Sequence, residues 1–597
     1  MKNRTIRFLL FYVILLILTP TACAPTPSPT PNLAETAAPT FDQFVDASFK
    51  DLLRRDPELV TVLGVSELLG MQNDQLTPVN EDYLKATREL ESQTLANLHR
   101  YDRAFLPEDQ QRIYDTYEWY LDDLVRAHPF ANRNYLVSQM IDSPDQTLTQ
   151  LFRDQQPVHS AEDARRYINR LGLIEGKMNE VVTSLEKRRE EGVVLPAFLI
   201  DWTLSGVDPL AYGDSASSPF YTGLKQKLEL LSSVGPEEKE GLLSGAEKLI
   251  GDSVQPGFQK LSRELTRLKQ FAPRQIGIGS LPGGQEYYDY LLRHHTSTDM
   301  DAEEIHQLGL SELEKIHTEM RSVFNQLGYP QDESLPVLYQ RVARDGGTLT
   351  GSEVFTEYDR LIRSVETESA PLFNLSPSSK VVVQADALGG FYIPPSMDGS
   401  RPGVFYASND GATPYYIIPT LTYHETIPGH HTQMALVGEL GMPLFQSVAS
   451  FNGYVEGWAL YAEKLMAESG AYNYDPYGQL GYLQYAARRA ARLVIDTGIH
   501  SKGWNFEKAY TFMVENTGMS ERESQYEAAR MAVIPGQAVS YYIGFLKILV
   551  LREKAKVELG EKFDLRKFHD SVLRTGPAPL SVLEREVDRY ISENIGD

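Results

Sequence analysis

Residues 423–431, with the sequence YHETIPGHH, constrain this chain more than any other segment. Three of the chain's twelve histidines lie in these nine residues, next to the carboxylate of Glu425. In zinc hydrolases, two histidines one helical turn apart bind the ion, and the glutamate after the first histidine takes a proton from the bound water. His424 and Glu425 supply the first half of that pattern, so the segment indicates a metal site.

The second histidine of this pattern comes late in the segment. His430 and His431 are six and seven residues after His424, and neither can share an ion with it on a straight helix. Pro428 lacks an N–H, and its ring collides with the carbonyl group of His424, which forces a kink or a loop. Gly429 can adopt the backbone angles that re-aim the chain. We favour His430 as the second ligand, with His431 as the alternative.

A second apolar segment, residues 453–463 (GYVEGWALYAE), carries two carboxylates two helical turns apart. Glu456 and Glu463 therefore lie on the same face of a predicted helix. A buried carboxylate needs a partner, and a metal cation serves as well as an arginine. We expect Glu456 to be the third ligand of a zinc ion that keeps one position open for water, and Glu463 to form a salt bridge.

Two further segments contain candidate functional residues. Arg492 and Asp496 are four residues apart, which predicts an ordinary helix pair. His500 follows Gly498 and is expected beyond the helix end, where it could bind substrate or donate to an oxyanion. Tyr541 is expected to start a helix and to offer its hydroxyl to the tetrahedral intermediate.

Three residues are predicted to bind the substrate: Tyr392, Arg492 and Tyr542. Tyr392 lies in residues 389–393 (GGFYI), which could form a sheet edge where an extended peptide adds as a strand. Tyr542 follows Tyr541 at the same predicted helix start. A pair of glycines is as often a simple turn, so the edge is one of two interpretations.

The first forty residues read as an export and anchoring segment. A basic start, residues 1–7, precedes the short apolar run 8–18, as in a secretory signal. Cys23 is the only cysteine and is the predicted lipidation site after a signal of residues 1–22; the alternative is a plain secretory signal with an incidental cysteine. Residues 23–40 are rich in Pro and Thr and predict a tether to the outer face of a bacterial membrane.

The rest of the chain is predicted to be mainly α with a small sheet. Apolar residues recur at three- and four-residue spacing in 41–53, 81–105, 108–127, 161–191, 236–271, 454–468, 478–497, 506–514, 522–532, 538–558 and 580–595. Strand signals occur at 274–279, 380–385, 403–408 and 415–418. Residues 201–219 read as a connection. We place a domain boundary near 270, which gives an N-terminal helical lobe, 41–270, and a catalytic zinc-binding lobe, 271–597.

Four blocks in this order resemble the DUF885 family of bacterial, often lipid-anchored proteins: 423–431 (YHETIPGHH), 455–463 (VEGWALYAE), 492–500 (RLVIDTGIH) and 535–541 (PGQAVSY). That family is similar to gluzincin metallopeptidases of the thimet-oligopeptidase and carboxypeptidase-Taq kind. The resemblance implies a two-lobed helical body with a small sheet beside the active-site helix and a deep cleft. In the oligopeptidases the third zinc ligand is the Glu of a Val-Glu pair, which corresponds to residues 455–456 here.

These features favour a zinc-dependent peptidase that hydrolyses short peptides outside the cytoplasm. Glu425 would be the general base, and Tyr541 or His500 would stabilise the oxyanion. Two alternatives stay open: a zinc hydrolase acting on another amide or ester, and a non-catalytic surface binding lipoprotein. The net charge of -24 argues against nucleic acid as a partner, because binding phosphates needs clustered Lys and Arg.

Overall fold

The structure is a computed structural model that describes residues 39–140, 143–386, 389–408 and 411–595. The predicted signal segment, Cys23 and the tether up to residue 38 lie outside the described residues. The described part of the chain folds mainly into α-helices, as the sequence predicts. None of the helices described combines the length and the apolar character needed to cross a bilayer.

Helices are named in chain order. The first group is α1 (Phe41–Leu53), α2 (Pro57–Leu63), α3 (Glu81–Leu98), α4 (Glu108–Ala127), α5 (Pro144–Gln150), α6 (Ala161–Leu171), α7 (Ile174–Glu190), α8 (Ala197–Tyr212), α9 (Pro219–Glu229), α10 (Pro236–Leu249) and α11 (Gln255–Leu268). The second group is α12 (Gly284–Thr296), α13 (Ala302–Gln326), α14 (Leu335–Gly346), α15 (Ser352–Ser369), α16 (Ile418–Glu425), α17 (His430–Glu439) and α18 (Leu444–Val448). The last group is α19 (Asn452–Glu468), α20 (Pro476–His500), α21 (Phe506–Thr517), α22 (Glu521–Val533), α23 (Ser540–Leu559), α24 (Leu565–Thr575) and α25 (Leu580–Ile595).

Local sequence sets where several of these helices begin. Asp301 and Glu304 form a reciprocal capping box at the start of α13, and Ser520 and Glu523 form another at the start of α22. Asn80 accepts a hydrogen bond from a backbone N–H in the first turn of α3. These side chains satisfy N–H groups that a helix end leaves without partners.

Five short strands form two small sheets. β1 (Thr348–Thr350) pairs with β5 (Ala412–Pro414) in an antiparallel ladder. The other sheet has the order β2 (Val381–Asp386), β4 (Gly403–Ser408), β3 (Phe391–Ile393), with β2 parallel and β3 antiparallel to β4. The predicted strands near 380 and 403 are confirmed.

The three-stranded sheet lies beside the helix that carries His424. Phe405 and Ala407 of β4 pack with Tyr358 of α15 and with Ile418, the first residue of α16. Ile418 is fully buried in this contact. The predicted position of a small sheet beside this helix is therefore confirmed, and the sheet supports the start of α16.

Three local predictions are wrong. Residues 274–279 form no strand; Ile276 and Ile278 are buried, and the Ile278 N–H donates to the His500 Nδ1 atom at 3.1 Å instead of to a strand. Residues 415–418 are a 3-10 turn, Tyr415–Ile417, that leads into α16. Most of the predicted connection at 201–219 lies in helix α8, which continues through Pro209 because its apolar residues face the core at helical spacing.

Helices α19 and α23 pack with their backbones in close contact. A Cβ atom at Gly544 would lie 1.6 Å from the Gly453 carbonyl oxygen, and one at Gly457 would lie 2.4 Å from the Gly544 carbonyl carbon. Only glycine fits at these positions. Residues Phe41–Asp597 form one compact unit, and the division near residue 270 stays a prediction.

Candidate metal centre

A short loop that contains Pro428 and Gly429 separates helix α16 from helix α17. Helix α16 ends at Glu425, and α17 begins at His430. A Cβ atom on Gly429 would lie 2.0 Å from the carbonyl oxygen of His424, so this close approach requires glycine. The looped-out residues return the chain to the end of α16, and the prediction of a kink or loop here is confirmed.

This loop brings His430 next to His424 and to Glu456 of α19. The His430 and His424 Nε2 atoms lie 3.3 Å and 3.7 Å from the Glu456 Oε2 atom. One ligand atom from each of the three residues lies within 4.8 Å of the other two. The structure thus assembles the three residues that the sequence assigns to a metal ion.

A carboxylate on the far side of His424 fixes the orientation of its ring. The His424 Nδ1 atom lies 2.8 Å from the Glu463 Oε1 atom, and Thr420 donates to the other oxygen of Glu463. An Arg489 nitrogen lies 3.8 Å from the same carboxylate. Because Nδ1–H donates to Glu463, Nε2 is left as the unprotonated nitrogen that faces Glu456.

Two buried atoms of the cluster have no hydrogen-bond partner among the described residues: the His430 Nδ1 atom and the Glu456 Oε2 atom. Buried polar atoms without a partner are uncommon in folded proteins and call for a specific explanation. Burial acts to raise the pKa of Glu456, but His430 and then His424 outweigh it and hold the pKa well below its usual range. Protonated histidines exert this effect, and a bound cation in their place would keep the Glu456 carboxylate ionised in the same way.

Glu425 is the last residue of α16 and is buried beside the cluster. Burial raises the pKa of Glu425 to about 8; His430 acts against this shift, and the Glu456 carboxylate adds to it. The carboxyl group is thus within electrostatic reach of two of the three cluster residues. A buried carboxyl group that interacts with the cluster in this way is a candidate proton acceptor.

His431 faces away from the cluster. Its Nε2 atom lies 2.9 Å from the Ser379 carbonyl oxygen and donates to it, and its Nδ1 atom accepts from the Tyr392 hydroxyl at 2.8 Å. Both ring nitrogens of His431 are therefore in use, whereas His430 faces Glu456. The same contact commits the hydroxyl of Tyr392, the predicted substrate-binding residue of β3, to His431.

Two other predicted substrate-binding residues are engaged inside the protein. The sequence predicts that Arg492 pairs with Asp496, and this prediction is wrong. The Arg492 Nε atom donates instead to the Glu527 Oε2 atom of α22 at 2.7 Å. Asp496 instead accepts from the Tyr288 hydroxyl at 2.6 Å and from the Gly536 N–H at 3.0 Å. Both side chains therefore take partners from other segments of the chain and not from each other.

Tyr542 is buried, and its hydroxyl donates to the Glu312 Oε2 atom of α13 at 3.1 Å. Its hydroxyl is therefore used in helix packing. On the same helix, one turn from Gly544, Tyr541 is only half-buried. The predicted substrate-binding role of Tyr542 has no support in these contacts.

His500 lies within helix α20 as its last residue, and the prediction that it follows the helix end is wrong. Its Nδ1 atom accepts from the Ile278 N–H at 3.1 Å, and its Nε2–H donates to the Met531 carbonyl oxygen at 2.8 Å. Burial lowers its pKa to about 4. A neutral histidine with both nitrogens bonded to backbone links three segments and has no free donor for a substrate.

Tyr541 lies against arginine side chains. The Arg530 Nη2 atom donates to its hydroxyl at 3.4 Å, and the Arg492 guanidinium lies over its ring at 4.7 Å. Burial acts to lower the pKa of Arg530, but nearby groups outweigh it and raise the pKa. Those groups are Tyr541, Glu527 and Glu456, so Arg530 and Tyr541 belong to the surroundings of the cluster.

Sequence reasoning missed His295, near the end of α12. The Asn452 amide, one turn before Glu456 on α19, donates to the His295 Nδ1 atom at 2.8 Å. Burial, then His294 and Arg530, holds the pKa of His295 well below its usual range, so the neutral ring carries its proton on Nε2. The His294–His295 pair was the only sequence signal, and nothing local connects it to residues 150 positions away.

The fold and the cluster together define a mainly helical protein with a buried His-His-Glu set at a broken helix. The chain belongs to the DUF885 family, described as bacterial proteins of unknown function, which matches residues 57–587. A search of curated proteins gave no significant match.

Two solved structures share this architecture. One is the crystal structure of a protein from Colwellia psychrerythraea described as a candidate lipoprotein, with 27% identity and a TM-score of 0.88 over 93% of this chain and 99% of that chain. The other, from Shewanella oneidensis and described as a candidate lipoprotein of unknown function, has 20% identity and a TM-score of 0.71 over 92% of this chain and 99% of that chain. The second similarity concerns the fold alone.

Proposed function

We propose that this protein is a zinc-dependent peptidase that cleaves short peptides outside the cytoplasm. The observation that carries the proposal is the set of His424, His430 and Glu456, in which two buried atoms have no partner within the described part of the chain, and Glu425 directly follows His424. A non-catalytic binding protein has no use for a buried carboxyl group next to such a set.

The donor set fits a zinc ion. Ligand atoms about 2.1 Å from a tetrahedral ion lie about 3.4 Å from one another, and the two measured His–Glu distances are 3.3 and 3.7 Å. Two neutral histidines and one carboxylate are a common catalytic set that leaves one position open. When bound, zinc supplies a Lewis acid that makes water nucleophilic near neutral pH.

The residues of the chain then divide the remaining work. Glu425 accepts a proton from the attacking water and passes it to the leaving amine, which requires its carboxyl group to cycle between both protonation states. The half-buried Tyr541 offers its hydroxyl to the oxyanion of the tetrahedral intermediate. Glu463 holds the ring of His424 in place throughout.

The similarity to gluzincin peptidases and the location belong to the same proposal. A two-lobed body with its site in a deep cleft, as in those peptidases, would admit short peptides and exclude folded proteins. The candidate-lipoprotein description of the Colwellia protein supports the reading of Cys23 as a lipid anchor. The peptidase would then act at the outer face of a bacterial membrane.

Metal analysis combined with one substitution tests the function. The purified protein should contain one zinc ion per chain and cleave short peptides. Glu425→Gln should keep the zinc and lose about 10²- to 10⁴-fold in kcat, the usual contribution of a general base. Glu366→Gln, an exposed glutamate on α15, is the matched control and should behave as wild type. Undiminished cleavage by Glu425→Gln, or a metal-free protein that cleaves peptides, would contradict the proposal.

A further inference from the structure

Three arginines surround a single buried glutamate near the metal centre. The Arg488 Nη2 atom lies 2.8 Å from Glu527, the Arg492 Nε atom lies 2.7 Å from it, and an Arg530 nitrogen lies 3.8 Å from it. We call Arg488, Arg492 and Arg530 the arginine cluster. Glu527 is almost completely buried, with 2% of its side chain exposed.

The arginine cluster contacts one buried carboxylate and is influenced by two more. Two other carboxylates act on these arginines: Glu523, which caps helix α22, and Glu456 of the metal centre. Glu527 is the carboxylate that lies nearest to all three guanidinium groups. Burying a guanidinium group is costly unless its N–H groups find acceptors.

Two buried nitrogens of the cluster have no hydrogen-bond partner among the described residues: the Arg492 Nη1 atom and the Arg488 Nε atom. The Arg492 side chain is only 5% exposed. Burial, opposed by Glu527, lowers the pKa of Arg492 to about 10, at which it still carries a charge at neutral pH. Buried guanidinium N–H groups normally donate hydrogen bonds, so these nitrogens can donate to an acceptor that the described residues do not supply.

The position of the cluster connects it to the metal centre. Tyr541 contacts two of the three arginines: its ring is under Arg492, and its hydroxyl accepts from Arg530. Arg530 in turn lies close enough to Glu456 for that carboxylate to act on its pKa, although burial is the largest influence. An anionic group held by the arginines would thus belong to the same molecule that reaches Tyr541.

We propose that the arginine cluster binds a carboxylate of the peptide substrate, supplied by the free C-terminus or by an acidic side chain near the cleaved bond. This inference rests on the proposed peptidase function and names its substrate class: peptides that place an anion beside the metal centre. Arginine is suited to the task because its planar fork matches a carboxylate with two parallel hydrogen bonds.

Three peptides of equal length separate the two sources of the carboxylate. Acetyl-tetraalanine has a free C-terminal carboxylate, its C-terminal amide has none, and an amidated peptide with glutamate in the third position has only the side chain. Preference for the first peptide over the amide, by about 10- to 100-fold in kcat/KM, assigns the site to the C-terminus. The same preference for the third peptide assigns it to an acidic side chain. Equal cleavage of all three overturns the inference.

Arg492→Met tests whether the cluster is the source of this preference. Glu527 keeps Arg488 and Arg530 as partners in this variant, so its charge stays balanced. The variant should raise KM for the preferred anionic peptide about 10- to 100-fold and affect the uncharged amide far less. Arg552→Met removes another buried arginine, one paired with Glu468, and should leave the preference intact. A preference that survives Arg492→Met overturns the inference.

Titration calorimetry separates failure of this inference from failure of the peptidase proposal. The zinc-loaded Glu425→Gln protein is titrated with acetyl-tetraalanine, with its amide and with the glutamate peptide. Tighter binding of either anionic peptide, lost on adding Arg492→Met, supports the carboxylate site even if the wild type cleaves none of them. Cleavage without any preference for an anion, in binding or in turnover, removes the carboxylate site and leaves the peptidase standing.

Discussion

His430 and His500 are both buried histidines of the same half of the chain, but their surroundings differ in one respect. The His430 Nδ1 atom has no partner in the described part of the chain, and its Nε2 atom faces Glu456. Both nitrogens of His500 bond to backbone groups. Backbone groups therefore satisfy the second histidine completely, whereas the described residues supply no partner for one nitrogen of the first.

The largest expected effect is on zinc affinity, when His430 and His500 are each replaced in a separate variant. His430→Gln should weaken zinc affinity more than about 100-fold, because loss of a direct ligand exceeds the effect of losing an outer partner. His500→Gln should keep the zinc and lower the free energy of unfolding by about 1–3 kcal/mol, because buried backbone groups lose their partner. Metal titration and chemical unfolding of both variants measure the two effects.

His431→Gln is the control for the first variant, because His431 is the neighbouring histidine and faces Ser379 and Tyr392. It should bind zinc with near wild-type affinity. Loss of zinc in His431→Gln but not in His430→Gln would reverse the assignment of the second ligand. Loss of zinc in His500→Gln would abolish the distinction between the two regions.

A smaller effect is expected at Glu463, which orients the ring of His424. Glu463→Gln should reduce zinc affinity about 10- to 100-fold, the usual range for a residue that holds a ligand in position. Glu468→Gln changes a glutamate of the same helix that pairs with Arg552 instead. Competition with a zinc chelator should show weaker binding for the first variant only; equal affinities would mean that Glu463 is a packing residue.

The last prediction concerns the pH dependence of stability in the second region. Burial raises the pKa of Asp496 to about 7 from an ordinary value of 3.8, although hydrogen bonds from Tyr288 and Gly536 act against the shift. The folded state therefore holds a proton that the unfolded chain releases at lower pH. This contribution to stability is fully present below pH 3.8 and is lost as pH rises through 7.

Asp496→Asn should remove this dependence. Between about pH 4 and 7 the wild type should lose stability relative to the variant, with a slope of at most about 1.4 kcal/mol per pH unit. Thermal unfolding of both proteins across this range measures the difference, with Asp359→Asn on the exposed face of α15 as the control. A difference that does not change with pH would show that Asp496 is ionised throughout.

The sequence predicts the arrangement around His424 because the signals there are local. Pro428 and Gly429 predict the break in the helix. The spacing of Glu456 and Glu463 places both carboxylates on one helix face. The helical periodicity of α1, α4 and α25 gives their bounds correctly. In each case, backbone geometry within a few residues determines the outcome.

The errors arise where distant contacts decide. Arg492 prefers Glu527 of another helix to Asp496, and although the predicted salt bridge of Glu463 is present with Arg489, its contact with His424 was not foreseen. No spacing rule within one helix reveals such partners. Ile276 and Ile278 belong to a strand-like pattern, but both side chains are buried although the segment forms no β-ladder. Neither the arginine cluster nor His295 could be recognised before the helices were assembled.

The contact between Gly457 and Gly544 determines which parts of this protein can be redesigned. Glu456 directly precedes one glycine, and Tyr541 lies three residues before the other, so two polypeptide backbones set the spacing between the segments that carry these two side chains. Exchanging side-chain volumes around the site would change what fits there without changing that spacing. A library that tests other substrates would therefore keep both glycines invariant and vary the side chains around the candidate site.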